Sequence, residues 1–327
     1  MTRWGLVCTT NAATEAVLDF AAWHLEAGAH RLFIYLDAPD PRTEAALAAH
    51  PRIKVTVTDA AWWEKRNGRP DRHQNRQARN ARHAYNQLSR DLDWLGHIDV
   101  DEFLLAERPV VDHLAALPPD ELTARVRPVE LLARGDGDAP GTRSFKTLPL
   151  DQARRQHAAR ACFGHWADHL SGGFLSHVAG KVFVRTGLDR VQIRIHNAFV
   201  GEDQNPGMVE LPDLPLAHAH APDWTTFAAH YRFRLDRGSY RSELKPQARG
   251  PAALSLNALF AGIEAEGGEP ALRAFYEEVG TATPALCNAL EAEGTLIRRR
   301  FEPKTWRLRH FPGHVDVLVP ERQVTPD

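Results

Sequence analysis

The sequence predicts an α/β fold: a mostly parallel central sheet flanked by helices, with a smaller helical part at the C-terminal end. Three observations predict it. Strand-like and helix-like runs alternate through the first sixty or so residues, the order from which parallel sheets are built. A strand-like apolar run at residues 94–105 carries three carboxylates in its middle. From Trp224 onward the periodicity is mostly helical.

Residues 4–10, W-G-L-V-C-T-T, read as the first strand and end in a polar turn at Asn11. Residues 14–27 place Val17, Phe20, Ala21 and His24 along one helical face, and Gly28 is a suitable stop. Residues 31–36, R-L-F-I-Y-L, are the second strand, closed by D-A-P-D-P from Asp37; residues 43–49 are helical and 53–58 form the third strand. Residues 71–90 make a polar helix with a thin apolar seam at Ala78, Ala81, Tyr85 and Leu88. Its arginines form a solvated face, while Gln77 and Asn80 turn one end toward a crevice. A helix at 110–117 is stopped by Pro118-Pro119; 123–132 is a strand, 133–142 a loop, and 180–185 and 191–196 two more strands. The Pro-rich stretch 202–215 crosses the surface, and helices follow at 224–236, 252–266, 270–279 and 283–294. The tail from Arg298 returns as short strands. Residues 1–215 therefore form the sheet-bearing domain and 216–327 a mostly helical extension packed on it.

The run W-L-G-H-I-D-V-D-E-F-L-L at 94–105 is the centre of interest. Alternation along a strand puts Asp99 and Asp101 on the same side, one pleat apart, and turns Glu102 away. Two carboxylates that close repel unless something positive sits between them. A divalent cation answers that need and can carry a phosphate as well. Ligands of parallel sheets bind beyond the carboxyl ends of the strands, where Asn11, Asp37, Asp99 and Asp101 all fall.

Composition narrows the classes. A formal charge of −2 over 327 residues provides no field that calls for nucleic acid or an anionic membrane. No apolar run approaches the ~20 residues of a membrane span, and the N-terminus moves straight into a strand pattern, without a signal-peptide core. Three distant cysteines, Cys8, Cys162 and Cys287, suggest thiols in a reducing cytoplasm. Peripheral contact with a membrane stays open. The chain has no G-x-S-x-G elbow, no Walker-type phosphate loop and no G-x-G-x-x-G after the first strand. His165 and His169, one helical turn apart with Asp168 between, are a weak zinc pair. His218-Ala-His220 turns both rings to one face, so a ligand role is plausible there, as it is for His196 at the end of V-Q-I-R-I-H.

With these residues in view, the chain resembles bacterial glycosyltransferases of the family-2-like and family-92-like groups, which have the GT-A fold. The group's opening K-N-E…L-E-W-x-x-Y-H-x-x-x-G…I-Y is matched by T-N-A…L-D-F-A-A-W-H-L-E-A-G…I-Y, with Asn11, Asp19, His24 and Gly28 in place. Gln77 and Asn80 precede the acidic run at the group's spacing, and D-W-L-G-H-I-D-V-D-E-F-L is similar to its W…I-D-x-D-E-F-L. G-K-V-F-V-R…I-H (Lys181, Arg185, His196) and H-A-H-A-P-D-W-T-T-F…D-R-G (His218 to Gly238) are similar to its later blocks. The likeness spans roughly residues 3–240. Ala12 stands where the group has Glu, and Leu36 where it has an acid, with Asp37 one place later.

The resemblance implies transfer of a sugar from a UDP- or GDP-sugar to a saccharide or glycan hydroxyl, with inversion, as in polysaccharide biosynthesis. It implies Mn²⁺ or Mg²⁺ held by Asp101 with Asp99 nearby, and His220 or His196 as a further ligand. It implies donor contacts from Asn11, Asp37, Gln77, Asp99 and Lys181, the lysine reaching the diphosphate as a point charge. A carboxylate must take the acceptor proton; Asp168, Glu130 and Glu202 are the candidates. Three rivals are a nucleotidyltransferase, a non-catalytic carbohydrate- or partner-binding protein on the same fold, and a zinc hydrolase built on His165, Asp168 and His169.

Overall fold

The computed structural model describes residues 1–237 and 254–314. Its strands are β1 (Trp4–Thr10), β2 (Arg31–Leu36), β3 (Ile53–Val57), β4 (Trp94–His97), β5 (Glu102–Leu104), β6 (Thr123–Val126), β7 (Pro128–Leu131), β8 (Arg143–Lys146), β9 (Lys181–Arg185), β10 (Val191–Ile193), β11 (Ala198–Val200), β12 (Asp203–Gln204), β13 (Met208–Glu210), β14 (Leu216–His218) and β15 (Leu296–Arg299). Its helices are α1 (Thr14–Glu26), α2 (Pro41–Ala48), α3 (Ala60–Glu64), α4 (His73–His83), α5 (Val110–Ala115), α6 (Gln152–Phe163), α7 (Trp224–Arg237), α8 (Leu256–Gly280), α9 (Pro284–Ala292) and α10 (Pro303–His310). Gly238 of the D-R-G block, the first two residues of the expected helix at 252–266 and the tail 315–327 lie outside the described residues.

The fold is mixed α/β, a central sheet flanked by helices. Seven strands run in the order β13-β6-β9-β4-β1-β2-β3. β4, β1, β2 and β3 are parallel neighbours, and β9 runs antiparallel between β4 and β6. All seven residues of β1 are buried, as a central parallel strand covered on both faces requires. Leu6 and Cys8 pack with Val17, Phe20 and Ala21 of α1 on one face. Val7 packs with Phe33, Ala81 and Tyr85 on the other. Gly96 lets the sheet close: a Cβ there would lie 2.8 Å from Phe183 and 2.9 Å from Leu6.

A second sheet has the order β15-β8-β7-β14-β5. Residues 94–105, expected as one strand, divide between the sheets: β4 ends the first part and β5 belongs to the second sheet. Between them the chain turns, closed by the Glu102 N–H donating to Asp99 O at 3.1 Å. The expected strand 123–132 divides the same way, into β6 and β7 at Arg127.

The boundary expected at 215/216 crosses this second sheet. β14 pairs with β5 and β7, and β15 pairs with β8. Helices α7 to α9 gather on their own cluster, which includes Phe227, Phe260, Phe275 and Tyr276. The helices expected at 252–266 and 270–279 are the two arms of α8, separated by a non-helical kink at Gly268 (φ +66°) ahead of Pro270, where a proline ring cannot continue the ladder. Where short strands were expected from Arg298 on, β15 ends at Arg299 and a helix follows, α10, which opens on Pro303. α10 returns to α1, with Arg307 3.0 Å from Asp19.

Candidate metal centre

Because β1, β2 and β4 are parallel, the residues that follow them share one edge. Asn11 follows β1 and is exposed, Asp37 follows β2, and the D-V-D turn follows β4. The second sheet brings a strand to the same place. β14 pairs antiparallel with β5, placing His218 opposite Glu102, and Ala219 N–H donates to Asp101 O at 2.8 Å.

Asp101, His218 and His220 converge there, each offering a ligand atom within 4.8 Å of the others. His218 Nε2 lies 3.3 Å from Asp101 Oδ2, the separation of two ligands each about 2.1 Å from a shared cation. Both rings are buried, and the Asp101 side chain is 32% exposed, leaving a solvent-facing side. Burial pushes the Asp101 carboxyl up, but His218 outweighs it and holds it below its ordinary value. Burial likewise pushes His218 down, and Asp101 carries it above its ordinary value. His218 was legible only as half of the H-A-H pair.

Asp99 is engaged elsewhere. Its two oxygens accept from Lys181 Nζ at 2.5 Å and Gln77 Nε2 at 2.5 Å. Burial pushes this carboxyl up, and the Lys181 ammonium overrides it, holding the group far below the carboxylate range. The same lysine is 3.3 Å from Glu102 and has 1% of its side chain exposed. Lys181 therefore does not reach out to a diphosphate; it neutralises two acids of the turn. Glu102, expected to face away, is turned back by the bend: its carboxylate accepts the Asp99 N–H at 2.7 Å. Burial pushes Glu102 up to about 7, opposed by Lys181 and helped by Asp99. Cys8 lies under these acids, and burial, Asp99 and Asp101 raise its thiol pKa.

Asp37 is buried and gripped by Arg76, both oxygens at 2.9 Å from Nε, with Arg69 at 3.2 Å and His73 at 3.4 Å. Burial raises this carboxyl, and His73 and Arg76 bring it down to about 2. These partners come from α4 and the loop before it, so the arginine run is not simply a solvated face. Asn80 of the same helix is buried and donates to Thr9 Oγ1 at 3.2 Å. His196 donates to Gly180 O at 2.9 Å and packs on His177, with ring centroids 4.4 Å apart. Burial and Lys181 lower it to about 4. His177, in the loop before β9, carried no sequence signal.

The three candidate bases fare differently. Glu130 lies opposite His218 on β7 but is bound to Lys146 at 2.7 Å and accepts the Leu175 and Ser176 N–H groups. Burial raises its pKa, and Lys146 draws it below the ordinary value, which makes Glu130 a weak base in a structural ion pair. Asp168 is 60% exposed beside Arg160, and Glu202 is exposed in the β11–β12 turn. Among the described residues, the groups of three converging ligands include neither His165, Asp168 nor His169.

The Asp101 set suits a divalent cation. It joins two imidazoles to a carboxylate, and His218 Nδ1 is buried without a hydrogen-bond partner among the described residues. Imidazole donors favour manganese or a later transition metal over magnesium, which takes oxygen ligands almost exclusively. A separate groove of about 520 Å³, lined by Leu105, Arg127, Val129, Leu148, Leu211 and Ile297, runs along the second sheet and does not include these ligands.

No protein-family model and no curated protein matches the chain by sequence. Among solved structures it is similar to the apo WbbM bifunctional glycosyltransferase, at 13% identity over 38% of this chain and 23% of that one, with a TM-score of 0.28. It is similar to HddC from Yersinia pseudotuberculosis, at 6% identity over 70% of this chain and 97% of that one, with a TM-score of 0.35. It is also similar to galactosyltransferase LgtC in complex with donor and acceptor sugar analogues, at 18% identity over 55% of this chain and 57% of that one, with a TM-score of 0.26. The chain thus spans less than a quarter of the WbbM chain and just over half of the LgtC chain. Likenesses this slight carry no part of the functional reading, which rests on the geometry above.

Proposed function

We propose that this chain is a divalent-metal-dependent glycosyltransferase that moves a sugar from a nucleoside-diphosphate donor to a saccharide hydroxyl, with inversion. The observation that carries the reading is the convergence of Asp101, His218 and His220 within 4.8 Å at the carboxyl edge shared by β1, β2 and β4. Breaking a bond to a diphosphate leaves negative charge on its oxygens, and a bound cation would supply the neutralising charge. Asp101, His218 and His220 would hold that cation. Asp99, locked by Lys181 and Gln77, would set the shape of the turn. Arg69, half-exposed beside Asp37, would offer positive charge at the end of β2, where a donor nucleotide would enter.

The resemblance to the GT-A groups, through D-V-D-E-F-L above all, supports the same reading. No helix of the described residues is long and apolar enough to cross a membrane. The test is incubation of the full chain with UDP- and GDP-sugars, with and without Mn²⁺. Slow, Mn²⁺-dependent release of UDP or GDP is expected. No release and no binding from any common nucleotide sugar would favour the non-catalytic rival.

A further inference from the structure

A second set of ligands adjoins the first. Glu102, His177 and His218 also bring one ligand atom each within 4.8 Å of the others, with His177 Nε2 3.6 Å from Glu102 Oε1. Glu102 is 0% exposed, and its Oε1, His177 Nδ1 and His218 Nδ1 are buried atoms without hydrogen-bond partners among the described residues. The other Glu102 oxygen is already used by the Asp99 N–H and Lys181. A carboxylate oxygen at the centre of a fold, with an imidazole on either side and no donor, is a group that lacks a partner.

We propose that Glu102, His177 and His218 form a second cation site, suited to zinc, and that this site and the Asp101 site exclude one another. Two imidazoles and a carboxylate with one position left over are a recurrent zinc donor set. Glu102 and His218 are buried, and His177 keeps a solvent-facing side with 31% of its side chain exposed. Exclusion follows from His218, which belongs to both sets. A neutral imidazole offers one acceptor nitrogen, so His218 in that form ligates one cation at a time; serving both would require the ring to give up its second N–H proton. Charge points the same way. Lys181 pairs with Asp99 and Glu102, and Asp101 stands beside His218, so the three carboxylates and one ammonium leave a formal excess of two negative charges that one divalent ion balances and two would overshoot. Zinc at the second site would withdraw His218 from the first and so inhibit the proposed transfer; that consequence rests on the reading above, whereas the site itself does not.

The test separates the sites by metal. Zn²⁺ binding to the full chain is measured by calorimetry and Mn²⁺ binding by electron paramagnetic resonance, in wild type, His177→Ala and His220→Ala. His177→Ala should weaken Zn²⁺ about tenfold or more and leave Mn²⁺ affinity within about twofold, and His220→Ala should do the reverse. In wild type, added Zn²⁺ should release Mn²⁺ one for one. His177→Gln, which preserves bulk, guards against a packing effect and should behave as His177→Ala does. The proposal is overturned if zinc does not bind, if both ions follow His220 and neither follows His177, or if wild type holds Zn²⁺ and Mn²⁺ together. Should Mn²⁺ fail to bind while Zn²⁺ tracks His177, the second site stands and the glycosyltransferase reading falls.

Discussion

Lys181 Nζ lies 2.5 Å from Asp99 Oδ2 across 82 residues of sequence, with 1% of the lysine side chain exposed. This contact decides which aspartate of the D-V-D turn is free for a cation. Asp99 is spent on the lysine and on Gln77, whereas Asp101 faces two imidazoles.

Removing the lysine charge should cost stability heavily. Lys181→Met would leave Asp99 and Glu102 as close acids without a counter-ion, and breaking a buried pair from one side costs about 3–5 kcal/mol. Urea denaturation measures it. A loss under about 1 kcal/mol would mean that the pair is solvated.

Glu130 should behave as a structural residue. Glu130→Gln leaves the buried Lys146 ammonium without its carboxylate, a loss of about 3 kcal/mol or more. Donor turnover, corrected for the folded fraction, should stay within about threefold of wild type. A collapse of turnover in a fully folded variant would restore Glu130 as the acceptor-side base.

His24 should set part of the acid sensitivity. Its Nδ1–H donates to Phe20 O at 2.8 Å and its Nε2 accepts the Leu104 N–H at 3.3 Å, a pattern that only the neutral ring can make. Burial lowers it from 6.5 to about 3, against the Phe20 hydrogen bond. Between those values the unfolded chain binds a proton that the folded chain refuses. The stability due to His24 is therefore full above pH 6.5 and falls as pH drops toward 3, by up to about 1.4 kcal/mol per pH unit. Stability measured against pH should show a shallower decline in His24→Gln; parallel curves would show that His24 does not contribute.

Gly180 should resist substitution. Its φ is +74°, and a Cβ would lie 2.4 Å from Val126 O. Gly180→Ala should cost about 1–3 kcal/mol in backbone strain alone. It should also displace Lys181, the next residue, and so weaken any metal binding beside it. Thermal unfolding with and without Mn²⁺ checks both effects.

The strand–helix alternation of the first sixty or so residues was legible because the central strands are buried on both faces and bounded by turns. The change of sheet inside residues 94–105 was not, since an apolar run looks the same whether it stays in one sheet or passes to another. That single bend also places Glu102, which alternation turned away from Asp101 and the turn brings back to the Asp99 N–H and Lys181. Asp101, His218 and His220 were legible as residue types, because D-x-D and H-A-H put like groups on one side. The partners of Asp99 and Glu130 were not, since Lys181 and Lys146 reach them through sheet pairing. His177 sits in a loop whose course depends on that same pairing.

The most direct measurement of the central claim is Mn²⁺ affinity in wild type, Asp101→Asn and Asp99→Asn, with folding checked by circular dichroism. The account predicts that Asp101→Asn weakens Mn²⁺ at least about tenfold with the fold intact, while Asp99→Asn acts mainly on stability, through the stranded Lys181. Unchanged Mn²⁺ affinity in a folded Asp101→Asn protein would contradict it.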